Sequence, residues 1–276
     1  MSNFWQRTIT GVVFVIVVIG SLLADYLIFA GVIAVFTVVG LWEFYLLAEK
    51  KNIFPLKYAG ITAGGFIFII TVFSNSHFID AHQAEKYFVL VFLYIILFFI
   101  AELYRKSDNA LQNISMCLAG LIYVAIPFSI LISLPVVVEQ NISFGKVILI
   151  SFFLLMWIYD IFAYLTGMWM GRHKLFERIS PKKSWEGFIG GAVFCIALSV
   201  VMSFYYTGLT IMQWIMMAIL IIVFGTFGDL VESMFKRSVN CKDSGKFFPG
   251  HGGVLDRFDA VLLAAPFVYF YLRFFI

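Results

Sequence analysis

The sequence predicts an all-α polytopic integral membrane protein, with about nine transmembrane helices and a cytoplasm-facing polar site between the C-terminal spans. Apolar residues make up 62% of the 276-residue chain, and charged residues only 13%, about half of the roughly 25% that is usual in soluble domains. Hydrophobic runs recur along the whole chain, and each is long enough to cross a hydrocarbon core about 30 Å thick. Polar and apolar residues do not alternate within these runs, as they would in a membrane β-barrel.

The predicted spans follow one another with short connections. They cover approximately residues 8–24, 26–47, 57–74, 87–104, 116–138, 146–169, 187–207, 211–234 and 255–275. We group them into an N-terminal region of about five spans, residues 1–140, and a C-terminal region of about four spans, residues 141–276. The two largest hydrophilic segments, loops 171–186 and 236–254, both belong to the C-terminal region, so we expect the functional site there.

The distribution of cationic residues predicts the orientation of the chain. Most of the 19 lysines and arginines fall in the loops on the same side as the N-terminus, and only Lys86, Lys146 and Arg273 fall on the other side. Cytoplasmic loops carry an excess of lysine and arginine, so this pattern predicts that the N-terminus and both long loops are cytoplasmic. A basic cytoplasmic face suits anionic lipid head groups and nucleotides.

Six carboxylates fall within or at the ends of predicted spans, where ionisable groups are costly and often functional. They are Glu43 in the second span, Asp160 in the sixth, Asp229 and Glu232 at the end of the eighth, and Asp256 and Asp259 at the start of the ninth. The members of the last two pairs are three residues apart, so each pair shares a helix face. The two pairs flank one loop and could converge. Their hard oxygen ligands suit Mg²⁺.

Each carboxylate also has a purely structural interpretation. Asp256 and Asp259 would be stabilised by the dipole of the helix they begin. Glu232 could pair with Lys236 one turn later, and Asp160 could bond to a neighbouring helix. The glutamate of the second span could reach the basic loop that follows it. Taken together on one side of the membrane, among many cations, the carboxylates favour a shared site for an anionic substrate.

The loop 171–186 has features that suit phosphate binding. Ser180 precedes a proline, which disfavours helical geometry, and Lys182 and Lys183 follow directly. Ser184 could cap the seventh helix, whose N-terminal amides would then be available to an anion. The alternative is an ordinary basic loop with a helix cap.

The loop 236–254 is richer in charge and glycine. It holds Lys236, Arg237, Lys242, Asp243, Gly245, Gly250, His251, Gly252 and Gly253, and Arg257 follows it. It contains no Walker P-loop, and the chain has no cysteine and histidine spacing typical of zinc sites. An enzyme acting on phosphate groups, an anion transporter and a structural membrane protein all remain open on these residues alone.

The order of residues in this loop resembles the C-terminal signature of the CDP-diacylglycerol synthases, also called phosphatidate cytidylyltransferases. The matching positions are Ser233, Lys236, Arg237, Lys242, Asp243, Gly245, Pro249, His251, Gly252, Gly253, Asp256, Arg257, Phe258 and Asp259. The segments 180–187 and 160–171 resemble two further blocks of the family. The N-terminal half resembles the family only in being a set of spans.

The resemblance implies a function in phospholipid biosynthesis. The distribution of lysine and arginine suits a bacterial inner (plasma) membrane, and an organelle membrane remains open. The cytidylyl group of CTP would pass to phosphatidic acid, giving CDP-diacylglycerol and pyrophosphate, by direct attack of the lipid phosphate on the α-phosphorus. The resemblance also implies Mg²⁺, with a second cation such as K⁺ admissible. The expected partners are CTP, phosphatidic acid and bilayer lipid, without nucleic acid, and a homodimer is admissible. Because phosphoryl-type transfer depends on positioning and charge neutralisation, the lack of a recognisable protein nucleophile fits this reaction.

The same resemblance suggests roles for the polar residues. We expect catalytic roles for Asp229, Asp256, Lys236, Arg237, His251 and Arg257. We expect Ser180, Lys182, Lys183, Lys242, Asp243, Gly252 and Gly253 to bind substrate. We expect Asp229, Asp256 and Asp259 to bind the metal, with Asp243 and Glu232 as further choices, and Asp160 to organise the polar cavity.

Three alternative functions differ from cytidylyl transfer in their chemistry. A CTP-dependent polyprenol or phytol kinase would transfer the γ-phosphoryl group and release CDP. A CDP-alcohol phosphotransferase would begin its motif with DGxxAR, which the sequence lacks. An anion transporter would need access from both faces and often shows inverted repeats or broken paired helices, which the sequence does not indicate.

Overall fold

The structure, a computed structural model, describes residues 3–137, 142–250 and 252–276. Its regular secondary structure within these residues consists of helices, one short antiparallel hairpin and an isolated bridge between Phe248 and Gly252. The helices are α1 Asn3–Ala24, α2 Tyr26–Glu49, α3 Lys57–Asn75, α4 Ala81–Arg105, α5 Ala110–Gly120, α6 Ile126–Leu131, α7 Leu134–Val137, α8 Ile142–Met170, α9 Trp185–Tyr205, α10 Ile211–Ser238 and α11 Leu255–Phe275, and the strands are β1 Lys174–Phe176 and β2 Ser180–Ser184. A π-helical segment, Leu121–Ala125, joins α5 to α6.

The length and composition of the helices confirm the predicted membrane architecture. Among the described residues, eight helical stretches are long and apolar enough to cross a membrane, and α1 adds a shorter apolar stretch, Thr8–Ala24. The prediction of an all-α polytopic membrane protein is therefore confirmed. The β1–β2 hairpin, which lies in the hydrophilic loop after α8, was not predicted.

The fifth predicted span, 116–138, is displaced toward the C-terminus relative to the helical stretch Ala110–Leu131. The polar residues at the start of this stretch suggest a loop, but Asn113 is only 1% exposed. Its amide nitrogen donates to Glu102 Oε1 at 2.6 Å, and its oxygen accepts from Phe54 N at 2.8 Å. The helix begins earlier than predicted because these bonds satisfy Asn113 inside the protein.

The chain forms two compact units. The first unit comprises the residues up to Ser133 together with Ser238–Phe258, and the second comprises Leu134–Arg237 and Asp259–Ile276. The first unit therefore contains the N-terminal helices and most of the glycine-rich loop. The predicted division into regions 1–140 and 141–276 concerns function and stays a prediction.

The first unit packs its helices around Tyr45 of α2, which is fully buried. The Tyr45 hydroxyl donates to Cys117 O of α5 at 3.0 Å. Gly60 and Gly120 leave the space that the ring occupies, since a Cβ at either position would collide with it. Small residues of this kind let helices approach closely in a membrane. These contacts fix α2 at Tyr45, which lies about half a helical turn after Glu43.

The second unit contains a tight helical pair, α8 and α9. Gly190 lies against Thr166, and the rings of Phe162 and Phe194 stack with their centroids 3.7 Å apart. A Cβ on Gly191 would lie 2.8 Å from the carbonyl oxygen of Tyr159. The β1–β2 hairpin connects these two helices, so their packing fixes the position of its base.

We expect Gly191→Ala to destabilise the protein. The new methyl group would meet Tyr159 O and would lie 2.9 Å from the Cβ of Ala163, so the helices must separate. Overpacking of this kind costs about 1–3 kcal/mol. The matched control is Gly31→Ala in α2, where no atom lies within 4 Å of the new Cβ and alanine is the better helix former. Thermal unfolding in detergent measures both variants, and equal melting temperatures would contradict this packing.

Candidate active site

The glycine-rich loop of the first unit is closed by Asp256, in the first turn of α11. Asp256 Oδ2 accepts hydrogen bonds from Ser244 N and Ser244 Oγ, both at 2.8 Å, and from Gly253 N at 2.7 Å. One carboxylate oxygen therefore joins the start of the loop to its end. The position at a helix N-terminus also agrees with the structural interpretation of Asp256, since a negative charge is favoured there.

A second carboxylate, Glu43 of α2, reaches the same loop from the N-terminal half. Glu43 is 4% exposed. Its Oε2 accepts from Leu255 N at 3.1 Å and from Ser244 Oγ at 3.4 Å. Glu43 and Asp256 thus contact the same serine hydroxyl. We call Glu43, Ser244, Gly253, Leu255 and Asp256 the loop cluster.

Sequence reasoning counted Glu43 among the carboxylates that favour a site but gave it no individual role. A carboxylate inside an apolar span was a signal, because such a group needs a reason to be buried. Its partners lie about 200 positions later in the chain, and no local pattern could have revealed them.

Aromatic side chains pack the same loop against α1 and α2. The ring of Phe248 lies edge-on to Phe14, with centroids 5.5 Å apart, and 5.9 Å from Phe36. Thr10 Oγ1 donates to Pro249 O at 3.1 Å. The loop is therefore supported by the N-terminal helices of the first unit.

The loop lines a polar cavity of about 780 Å³. The lining residues are Lys242, Asp243, Gly245, Lys246, Phe248, Pro249, Gly250, Gly252 and Arg257. Four of the predicted substrate-binding and catalytic residues, Lys242, Asp243, Gly252 and Arg257, are thus brought together. Gly252 has φ of +87°, a conformation that residues with a side chain rarely adopt. The three cations around this cavity suit a polyanionic ligand.

The second unit holds a separate group, which we call the aspartate cluster: Asp160 of α8, Lys183 of β2, Asp229 of α10 and Asp259 of α11. Lys183 Nζ lies 2.5 Å from Asp229 Oδ2. Asp160 and Asp259 both interact electrostatically with Asp229 and with Lys183. Three carboxyl groups therefore share one ammonium group, an arrangement that favours the approach of further positive charge.

Close helix packing holds the aspartate cluster together. A Cβ on Gly228 would collide with the backbone of Asp259 and would lie 3.0 Å from the Cα of Ala260, so glycine permits the close approach of α10 and α11. The Tyr159 hydroxyl and Thr226 Oγ1 lie 2.6 Å apart and join α8 to α10. The three carboxylates thus lie on packed helices rather than on loops.

The β1–β2 hairpin presents Ser180, Lys182 and Lys183 on its second strand. The prediction that Ser184 caps the next helix is confirmed, since its side chain accepts from Gly187 N at 3.2 Å. The carboxylate of Glu186 accepts from Arg172 N at 3.1 Å and contacts the His173 ring at 2.6 Å. These bonds fix the base of the hairpin.

Three further residues were predicted to be catalytic: Lys236, Arg237 and His251. Lys236 forms an ion pair with Glu232, which is 1% exposed, so the predicted pairing one helical turn apart is confirmed. Arg237 is exposed near the end of α10. His251 lies outside the described residues. The catalytic roles of all three stay predictions.

The carboxylates fit a sparsely ligated Mg²⁺ rather than a cage made only of protein. In the described part of the chain, no group of three or more histidine, cysteine, aspartate and glutamate side chains could hold a metal. Mg²⁺ usually takes one or two carboxylates and completes its sphere with water and substrate phosphates. Asp229 and Asp259 in the second unit, and Asp256 in the first, offer that donor chemistry.

Comparison with known proteins identifies the family. The model of the cytidylyltransferase family matches residues 5–275. The chain is 32% identical to the phosphatidate cytidylyltransferase of Staphylococcus aureus strain COL over 269 residues, which cover 94% of this chain and 95% of that protein. It is 30% identical to the phosphatidate cytidylyltransferase of Bacillus subtilis strain 168 over the full length of both proteins. The prediction of an enzyme of this family is confirmed. The protein belongs to the cytidylyltransferase family.

Proposed function

We propose that the protein transfers the cytidylyl group of CTP to phosphatidic acid, giving CDP-diacylglycerol and pyrophosphate for phospholipid biosynthesis. The observation that carries the proposal is the cavity lined by Lys242, Lys246 and Arg257. Its wall is the segment whose residues resemble the family signature, and its cations suit a triphosphate. The phosphatidate cytidylyltransferases of Staphylococcus and Bacillus are similar along nearly the whole chain.

In the proposed reaction an oxygen of the lipid phosphate attacks the α-phosphorus of CTP. The bond from the α-phosphorus to its bridging oxygen breaks, and pyrophosphate leaves with that electron pair. Lys242, Arg257 and the amide of Gly252 would bind the phosphates of the nucleotide and neutralise charge as the leaving group departs. The amide of Gly253 donates to Asp256, so Gly253 would contribute by shaping the loop. No covalent protein intermediate is needed.

The aspartate cluster and the β1–β2 hairpin would bind charged groups of this reaction, namely a phosphate group and Mg²⁺. Ser180, Lys182 and Lys183 would bind a phosphate group, with Lys183 held in place by Asp229. Asp229 and Asp259 of the second unit would supply carboxylate oxygens to Mg²⁺, which when bound would polarise phosphate oxygens and stabilise negative charge on pyrophosphate. Metal binding by Asp256 stays a prediction. K⁺ as a second cation stays a prediction.

We place the protein in a bacterial plasma membrane, with its N-terminus and active site on the cytoplasmic side. The bacterial relatives and the apolar helices support the membrane, and the excess of lysine and arginine in one set of loops supports the orientation. The predicted homodimer stays a prediction.

The test is incubation of the purified protein in mixed micelles with CTP, Mg²⁺ and phosphatidic acid. We expect CDP-diacylglycerol and pyrophosphate in equal amounts, with neither formed when CTP or phosphatidic acid is omitted. Release of CDP with a polyprenol or phytol acceptor would instead favour the kinase. Uptake of a phosphate compound into proteoliposomes without any CTP turnover would favour the transporter.

A further inference from the structure

Glu43 is a carboxylate buried inside an apolar helix, and its hydrogen bonds lead to a loop far along the chain. Its Oε2 accepts from the backbone of Leu255 and from the hydroxyl of Ser244. Burying a carboxylate is costly, and a packed apolar side chain would occupy the same place at lower cost. The buried charge of Glu43 is therefore best explained by the loop that it holds in place.

The loop is shaped around this carboxylate. A Cβ on Gly245 would collide with Glu43 Oε1, and a Cβ on Gly253 would collide with both carboxylate oxygens. Neither glycine has a positive φ, so the glycines serve close approach rather than an unusual backbone conformation. Two points of the loop thus contact one side chain of α2.

The contacts of Glu43 bear directly on the cavity. Gly245 lines the cavity, and Ser244 and Gly253 are adjacent to the lining residues Gly245 and Gly252. Ser244 and Gly253 also donate to Asp256. A change at Glu43 therefore reaches both the cavity wall and the carboxylate that closes the loop.

We propose that Glu43 is a positioning residue, which holds the loop Ser244–Leu255 in the conformation that forms the cavity wall. This inference rests on the proposed function, because it assigns the cavity to CTP. It gives the N-terminal half of the chain, and α2 in particular, a part in the reaction. Glu43 acts through the loop and does not touch the reacting atoms.

The kinetic test compares Glu43→Ala and Glu43→Gln with a control on the same helix. We expect kcat/KM for CTP to fall about 100-fold in Glu43→Ala and about 10-fold in Glu43→Gln, the range seen when groups that orient a site are lost. Part of the loss should be a higher KM for CTP. The control is Glu49→Gln, which removes only a pair with Lys57 at 2.9 Å and should leave kcat/KM within twofold. An unchanged KM for CTP in both Glu43 variants would overturn the proposal, because a merely structural role would lower only the fraction of active enzyme.

A double-mutant cycle tests the contact itself. In the wild-type background, Gly245→Ala should lower kcat/KM for CTP at least tenfold, because its methyl group displaces the Glu43 carboxylate. In the Glu43→Ala background the same substitution meets no carboxylate, so its further effect should be below threefold. Equal effects in both backgrounds would show independent sites and would overturn the proposal.

Amide hydrogen exchange gives a readout that does not depend on turnover. We expect faster exchange at Ser244, Gly253 and Leu255 in Glu43→Ala, with exchange in α3 and α4 unchanged. Protection of these three amides at the wild-type level would contradict the proposal, whatever turnover the variant shows. If the loop loosens while wild-type protein makes no CDP-diacylglycerol, the proposed function fails and the positioning of the loop stands.

Discussion

Asp256→Asn is expected to lower CTP-dependent turnover of phosphatidic acid by about 10²–10³-fold, the loss that follows removal of one preorganised electrostatic group. In the folded protein, one oxygen of Asp256 accepts three hydrogen bonds, two from Ser244 and one from Gly253. Asparagine has the same shape but no charge, so these bonds lose about half of their strength. The predicted role in metal binding would be weakened by the same change.

Initial rates in mixed micelles, at saturating CTP and Mg²⁺, measure this effect. Asp108→Asn is the matched control, because Asp108 is exposed in the loop after α4 and should tolerate the change without loss. Size-exclusion chromatography and thermal unfolding show that each variant is folded. Near-normal turnover in folded Asp256→Asn would remove Asp256 from the site.

Lys183→Met is expected to lower kcat/KM by about 10²-fold or more, again through the loss of preorganised charge. Lys183 is the cation of the aspartate cluster, paired with Asp229. The side chains of Lys183 and Asp229 are 27% and 37% exposed, and partly exposed pairs contribute at most about 1 kcal/mol to stability. The variant should therefore remain folded, and the loss should appear in catalysis.

The control for this variant lies in the same hairpin. Lys174→Met in β1 removes an exposed ammonium group opposite Ser184, and its effect on kcat/KM should stay within twofold. Lys183→Arg, which keeps the charge, should recover part of the activity. Equal losses in Lys174→Met and Lys183→Met would mean that only the net charge of the hairpin matters.

The membrane architecture could be predicted from the sequence because long apolar runs leave few other folds. The Ser184 cap and the pair of Lys236 with Glu232 could also be predicted, since both depend on residues three or four positions apart. Such local rules failed at Asn113, whose partners Glu102 and Phe54 lie on other elements. The start of that helix could not be placed without them.

The same limit applies to the site. The residues of the cavity wall are close in sequence, so Lys242, Asp243, Gly252 and Arg257 could be grouped in advance. The contact between Glu43 and the loop joins positions about 200 residues apart, and only the folded chain reveals it. The nearness of Asp160 to Asp229 likewise depends on how α8 packs with α10.

The most direct test follows the phosphorus atoms of CTP. Wild-type protein is given phosphatidic acid and CTP labelled at either the α- or the γ-phosphate, and lipid and aqueous products are separated. Cytidylyl transfer predicts that the α-label enters the lipid and that the γ-label leaves as pyrophosphate. Appearance of the γ-label in the lipid, with release of CDP, would contradict the account.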